Sequence, residues 1–345
     1  MGSALLLAAC PSTPSAAPDQ GCVKDTDCKG DRICDGGKCA HPPDKAKPSA
    51  AAPEAEAPTK TATAPTWRRG GPNAGLPGEF SGPAETPELR WELELGSVVF
   101  ATATIVEEDG RSTAYVGTHA GRFVGVDVAT GELKLDLDLG ARVWARAALA
   151  KDGKLLVGGD DDTLRAIDLD AGKVAWSKKL GDCDGTSRPG PEGARCDVDG
   201  GPTVAPDGSI FVGADGLYKL DEAGEVTWQW PPDEEKRSHV FAAPLLGPDG
   251  STYFGDQAGF VNAVDPRGET RWRYRVQSDV DGSGVLGPDG TYYVGADDGR
   301  VHAIRADGSL KWSFVAQRDI RSAMSLGLEG ELYVTSFDGN LYALA

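Results

Sequence analysis

The chain has little positive charge. Thirty-five lysines and arginines (35) stand against 53 aspartates and glutamates, a net charge of -18. Nucleic acid and anionic membrane surfaces both demand a cationic face, so neither is expected as a partner, and the acidic surplus reads as a solubilising surface. The chain also lacks any run of the ~18 apolar residues that a membrane-spanning helix requires. Histidine is scarce, with 4 in all, and no Gly-x-Ser-x-Gly elbow occurs, so no serine-hydrolase constellation can be assembled. His41 lies in a polar stretch, and His119 and His302 read as ordinary surface or packing residues.

The 7 cysteines form an odd set. Cys10 closes Leu7-Ala8-Ala9-Cys10, which resembles a lipobox, and residues 1–9 read as the remnant of a signal peptide, followed by a lipidated tether over 10–21. Cys22, Cys28, Cys34 and Cys39 crowd into one short module, 22–39, which is too small to bury a core and needs covalent bridges. Its gaps of five, five and four residues suit zinc poorly, because structural zinc favours C-x2–4-C pairs. Two disulfides read better, and the sequence leaves all three pairings open. Cys183 and Cys196 flank an irregular insertion and form the third expected bridge. One lipidated and six paired cysteines account for the whole set and imply an oxidising, extracytoplasmic compartment. Asp25, Asp27 and Asp31 offer too few oxygens to argue for calcium.

From 40 to 86 the composition turns to Pro, Ala, Thr and Glu. Such a stretch cannot bury enough apolar surface to offset its chain entropy and is expected to be a disordered linker. Beyond it, over 87–345, one phrase keeps returning: Ala166, Asp168, Gly172 and Trp176; Ala263, Asp265, Gly268 and Trp272; Ala303, Gly308 and Trp312. Weaker copies run over 126–135, with Leu135 in the tryptophan position, and 219–228. Before each copy stands an Asp-Gly turn and an apolar strand, as in Asp152-Gly153, Asp207-Gly208 and Asp289-Gly290. Asp-Gly between alternating apolar runs is a strong hairpin signal. Four antiparallel strands in each repeat of some forty residues make the blade of a β-propeller.

Inner strands are expected at 99–106, 143–149, 198–205, 240–246, 280–286 and 320–326, which gives an all-β propeller of six four-stranded blades, with seven or eight as the alternatives. A lone strand at 89–95 precedes the first blade, and the last blade lacks an outer strand. The two are expected to pair, closing the ring. The repeated tryptophans read as wedges packed between blades.

The tryptophan phrase resembles that of the PQQ-like, or quinoprotein-type, β-propeller repeat family, over about 89–345. Enzymes of that family carry a vicinal disulfide against the quinone and a calcium site with a catalytic aspartate. This chain has no adjacent cysteines, and the convergent cations that a quinone tricarboxylate wants are few, so neither PQQ nor calcium is expected as a cofactor, and no catalytic residue is assigned. Lipid-anchored members of the family act as docking platforms. The resemblance also imports Gram-negative sorting logic, in which Pro11 after the lipid site favours the outer membrane, with the protein facing periplasm or cell surface.

Residues at equivalent inner-strand starts of a propeller gather at one end of its channel. Here they are Phe100, Trp144, Asp199, Phe241, Asp281 and Arg321, preceded two places earlier by Val98, Arg142, Asp197, His239, Asp279 and Asp319. Of the histidines, His239 alone falls on this ring. Asp197-Val198-Asp199-Gly200 and Asp279-Val280-Asp281-Gly282 look like halves of a calcium loop but offer only two carboxylates each, and the turn-capping reading, in which the aspartates meet Arg142 or Arg321, is preferred. Aromatic rings among acids and arginines suit an envelope protein or peptide, with a carbohydrate or other small ligand as the alternative. The expected protein is a monomer that touches the membrane only through its lipid. Thiol titration of the unfolded, unreduced protein is expected to find no free cysteine and reduction to release six; a thiol reactive before reduction would overturn that partition.

Overall fold

The computed structural model describes residues 89–181, 197–233, 237–276, 278–327 and 330–345, together with the backbone of Ile33–Asp35, Lys38–Ala40 and Arg68–Arg69. The expected lipid site Cys10, the cysteines 22, 28, 183 and 196, and most of the linker lie outside the described residues. Two compact units are distinguished. In the smaller, Ile33–Asp35 and Lys38–Ala40 form an antiparallel hairpin whose register sets Cys34 opposite Cys39.

The larger unit holds six antiparallel four-stranded sheets in chain order. The first is built from Thr104–Glu108, Arg111–Gly117, Arg122–Asp127 and Leu133–Asp138. Four successors, over 148–179, 203–230, 245–275 and 285–315, repeat the meander. The expected Asp-Gly turns are there: the carboxylates of Asp207, Asp249 and Asp289 each accept the backbone N–H two residues on, at 2.9–3.0 Å. Gly208 takes the positive φ, +94°, that such a turn requires. The tryptophan phrase opens on a register shift, at Ala166/Ile167, Ala263/Val264 and Ala303/Ile304. Its aspartate then caps the following turn, as when Asp265 accepts from the N–H groups of Arg267 and Glu269 at 2.9 Å.

Two contacts recur between successive sheets. In the first, a glycine at or next to the end of a sheet's second strand lies against the first aliphatic residue of the next sheet's leading segment: Gly117 on Val143, Gly158 on Val198, Gly213 on Val240, Gly255 on Val280 and Gly295 on Ile320. Those five aliphatic residues are 0–1% exposed. Their N–H groups donate to carbonyls of the preceding sheet, those of Thr118, Gly159, Ala214, Asp256 and Ala296, at 2.9–3.2 Å. In the second, an aromatic or leucine side chain of one outer strand sits on the turn glycine of the next sheet: Leu135 on Gly172, Trp176 on Gly224, Trp228 on Gly268 and Trp272 on Gly308. At Gly224, φ is +84° and a Cβ would lie 2.8 Å from the indole of Trp176, so glycine is required both by the backbone and by the ring. The tryptophans are inter-sheet wedges, as their spacing implies.

Two expectations need correction. The inner strands are shorter than the alternation suggests: Ala148–Leu149, Thr203–Val204, Leu245–Leu246, Val285–Leu286 and Ser325–Leu326 have two paired residues each. Their leading halves are extended but give their N–H groups to the preceding sheet, so they cannot also join their own. The closing pair at 89–95 is also not formed. These residues make no strand, and Leu341–Leu344 pairs only with Leu332–Thr335. The sixth sheet is completed on its opposite edge, where Arg68–Arg69 pairs with Ser325–Leu326. Trp91 nonetheless behaves as a wedge of the series: it lies against Gly131 of the first sheet, and its indole N–H donates to the carbonyl of Val128 at 2.9 Å.

The glycine–aliphatic contact yields a test. A methyl at residue 213 would collide with the Val240 carbonyl oxygen, so Gly213→Ala is expected to lower stability by about 1–3 kcal/mol, the usual cost of overpacking. An unchanged denaturation midpoint would show that the seams yield freely.

Candidate functional site

The leading segments converge on one cavity of about 310 Å³ that takes lining residues from all six sheets, Thr102, Arg146, Asp199, Phe241, Ser283 and Met324 among them. They are brought there by the seam bonds. Five of the six segments are anchored by their aliphatic residue to the sheet before them, and the segment then runs on to the cavity lining. Asp199 and Phe241 line the cavity itself, and the remaining ring residues precede its lining residues along the same leading segments.

On the first and second sheets the ring is aromatic. Phe100 meets Trp144 edge-on with ring centroids 5.5 Å apart, and both pack on His119, at 5.9 and 4.0 Å. His119 thus belongs to the mouth, against the expectation that only His239 does. Burial, and then the charge of Arg142, lower its pKa, with Asp160 opposing. The indole N–H of Trp144 donates to Asp160 at 2.5 Å, and Arg142 stands 3.7 Å from the same carboxylate. On the fourth sheet His239 and Phe241 stack in parallel with centroids 5.9 Å apart.

The other half of the mouth is acidic. Asp160 can bring a carboxylate oxygen within 4.8 Å of Asp197 and Asp199, as Asp297 can with Asp279 and Asp281. Burial raises the pKa of Asp160 against the hydrogen bonds of Asp199 and Trp144. Arg321 grips Asp297 with two bonds, 2.9 and 2.7 Å, reaches Asp319 at 3.5 Å, and lies over the ring of Phe337 at 5.7 Å. Burial, aided by the like charges of Asp281 and Asp319, still pushes Asp297 up to about 7. Gln257 donates to Asp281 at 3.4 Å. Of the two expected arginine contacts, Arg321 meets a ring aspartate and Arg142 meets Asp160.

A second tier of residues therefore supports the ring: His119, Asp160, Gln257, Asp297 and Phe337. All occupy the turn after a sheet's second strand, and each donates its N–H to the carbonyl of a ring-tier residue, those of Val98, Arg142, His239, Asp279 and Asp319, at 3.0–3.1 Å or, for Asp297, 2.9 Å. The sequence carried a signal for them, because like the ring positions they vary inside an otherwise regular repeat. In the third sheet the equivalent residue, Asp215, turns to Tyr218 and Arg237 instead.

Residues 83–192, 161–250 and 257–345 match the family model described as outer membrane protein assembly factor BamB. Among solved structures, the chain is similar to BamB from Moraxella catarrhalis, at 18% identity and a TM-score of 0.50, covering 79% of this chain and 91% of that one. It is similar to the computationally designed Ika8 protein, at 17% identity and a TM-score of 0.55, covering 72% and 71%. It is also similar to the WD40 β-propeller domain of Doa1, at 16% identity and a TM-score of 0.52, covering 71% and 77%. At such identities these likenesses concern the fold alone, and they identify the six sheets as propeller-like blades. No curated protein sequence matches the chain.

Beneath the acidic half lies Asp162, 2% exposed at a φ of +58°, with its Oδ2 bonded to no described residue. Burial, followed by the charge of Asp197, pushes its carboxyl up to about 7. Since the unfolded chain releases this proton near the ordinary carboxylate range, stability is expected to fall as pH rises from about 4 to about 7, by ~2–4 kcal/mol for this group alone. Asn tolerates the same backbone conformation. Asp162→Asn is therefore expected to flatten the difference between denaturation midpoints at pH 5 and pH 8, and an unaltered difference would refute the assignment.

Proposed function

The chain belongs to the family described as outer membrane protein assembly factor BamB, and from that membership we propose that it is a non-catalytic docking platform of the cell envelope. It would be held at the outer membrane through lipid on Cys10 and would bind another envelope protein or peptide at the mouth of the axial cavity. The observation that carries this reading is the exposed aromatic group there: Phe100 is 69% exposed although it packs on His119 and Trp144. Phe337 adds a ring 46% exposed. Rigid rings beside carboxylates and arginines, left uncovered at a concave mouth, have the composition of an interface hot spot.

Trp144→Ala and Phe241→Ala, each checked for an unchanged melting midpoint, are expected to reduce recovery of a crosslinked partner from envelope extract at least ~tenfold, the effect of losing about 1.4 kcal/mol of binding. If the variants instead lose signal on a glycan array, the mouth is a carbohydrate site. If neither readout changes, the binding face lies elsewhere. Quinone added with calcium is expected to leave the melting midpoint unmoved, and a shift would revive a redox reading.

A further inference from the structure

The axial cavity, about 310 Å³, is at the small end of ligand pockets. Its wall is mostly glycine, alanine, small hydroxyl residues and aliphatic side chains. Against that neutral background two lining residues carry charge, Arg146 from the leading segment of the second sheet and Asp199 from that of the third. They adjoin. A Cβ at Gly201, two residues past Asp199, would lie 3.5 Å from Cγ of Arg146 and 3.1 Å from its carbonyl oxygen.

The uncharged polar groups of the wall divide in the same sense. Gly200 and Gly201 are buried and line the cavity, and their N–H groups have no acceptor among the described residues. Buried backbone N–H groups are almost always paired with protein, water or ligand, so two in succession at a cavity wall require an acceptor inside it. Ser283, from the fifth sheet, accepts the Ala243 N–H on its Oγ at 3.0 Å, which leaves its own hydroxyl proton to donate. Thr203 has the opposite sense. Its hydroxyl donates to the Pro244 carbonyl at 2.7 Å and so meets a guest as an acceptor. Donors and acceptors thus share one small chamber, with apolar surface from Phe241 and Met324.

A bare anion fits this wall poorly, because Asp199 lies there and brings a carboxylate oxygen within 4.8 Å of Asp160 and Asp197. A bare cation meets Arg146. A guest with both charges answers both groups. We propose that the axial cavity is a binding site for a small zwitterion, an α-amino acid with an aliphatic side chain. Its carboxylate is held by Arg146, the N–H groups of Gly200 and Gly201 and the hydroxyl of Ser283, its ammonium by Asp199 and Thr203, and its side chain rests on Phe241 and Met324. This goes beyond the docking reading and needs neither the lipid anchor nor a protein partner.

The test is equilibrium dialysis of the full chain against labelled L-leucine, with 4-methylpentanoate and isopentylammonium as competitors. These keep the leucine skeleton without the ammonium or without the carboxylate. L-leucine is expected to bind saturably at one site per chain, and each competitor to be at least about tenfold weaker, the effect of losing one set of charge-assisted hydrogen bonds. Arg146→Gln, with its melting midpoint retained, is expected to weaken L-leucine about tenfold and leave isopentylammonium unchanged, while Asp199→Asn weakens L-leucine and does not weaken 4-methylpentanoate. Should a variant fail to fold, the wild-type competition decides alone. No saturable binding of L-leucine would overturn the proposal. So would a competitor as strong as L-leucine itself, which would mark a simple anion or cation site. A negative result would leave the pull-down at the mouth unaffected, and a failed pull-down would leave this dialysis readable.

Discussion

The bond between neighbouring sheets is the constraint from which the rest follows. At five successive seams a glycine leaves room for the aliphatic residue of the next leading segment, and the N–H of that residue donates to a carbonyl of the sheet before it. Neither half suffices alone. A side chain on the glycine would hold the segments apart, and without the hydrogen bond the buried N–H would be left unsatisfied, which costs about as much as losing a bond outright. The tryptophan wedges repeat the same logic at the rim, a large ring resting where glycine leaves no Cβ.

Between the sixth sheet and the first, the described residues make no contact of this kind. Thr335 stands where the other sheets end their second strand in glycine, and Val99, the counterpart of Val143 and Val198, is 46% exposed. Trp91 supplies the rim wedge on Gly131, yet 89–95 adds no strand. The exposed aromatic residues Phe100 and Phe337 belong to the first and the sixth sheet. Apolar side chains of the kind that the five seams bury are therefore left uncovered on these two sheets, and the site draws its sticky half from an imperfection in the repeat.

The acidic half has a different origin. Because five leading segments are each pinned at one aliphatic residue, the positions flanking it can carry charge. Four seams thus place Arg142, Asp197, Asp199, Asp279, Asp281 and Arg321 beside Asp160 or Asp297, in two carboxylate clusters where burial and like charge act together. The lifted carboxyl of Asp297, held in a two-bond grip by Arg321, shows a carboxylate kept in place by one guanidinium while burial, and then the charges of Asp281 and Asp319, push its proton affinity upward.

The sequence by itself determined the blade plan. Asp-Gly turns, the alternation of apolar residues and the phrase running from Ala166 to Trp176 are local signals, each acting within a few residues, and six sheets appear where they predict six. It also singled out the positions beside each leading segment's aliphatic residue, because departures from a repeat stand out against it. What it could not decide were contacts between sheets. The leading halves of the inner strands look like strands in every local respect, and only the competing carbonyl of the preceding sheet turns them away. His119, Asp160 and Asp297 read as turn residues until the next sheet's leading segment is laid beside them. The partner of Ser325–Leu326 could not be read from alternation either, since two arginines in a proline-rich linker carry no strand pattern at all. Such pairings depend on which edge is left open once the sheets have packed, and that is a property of the assembled fold, not of any stretch of chain.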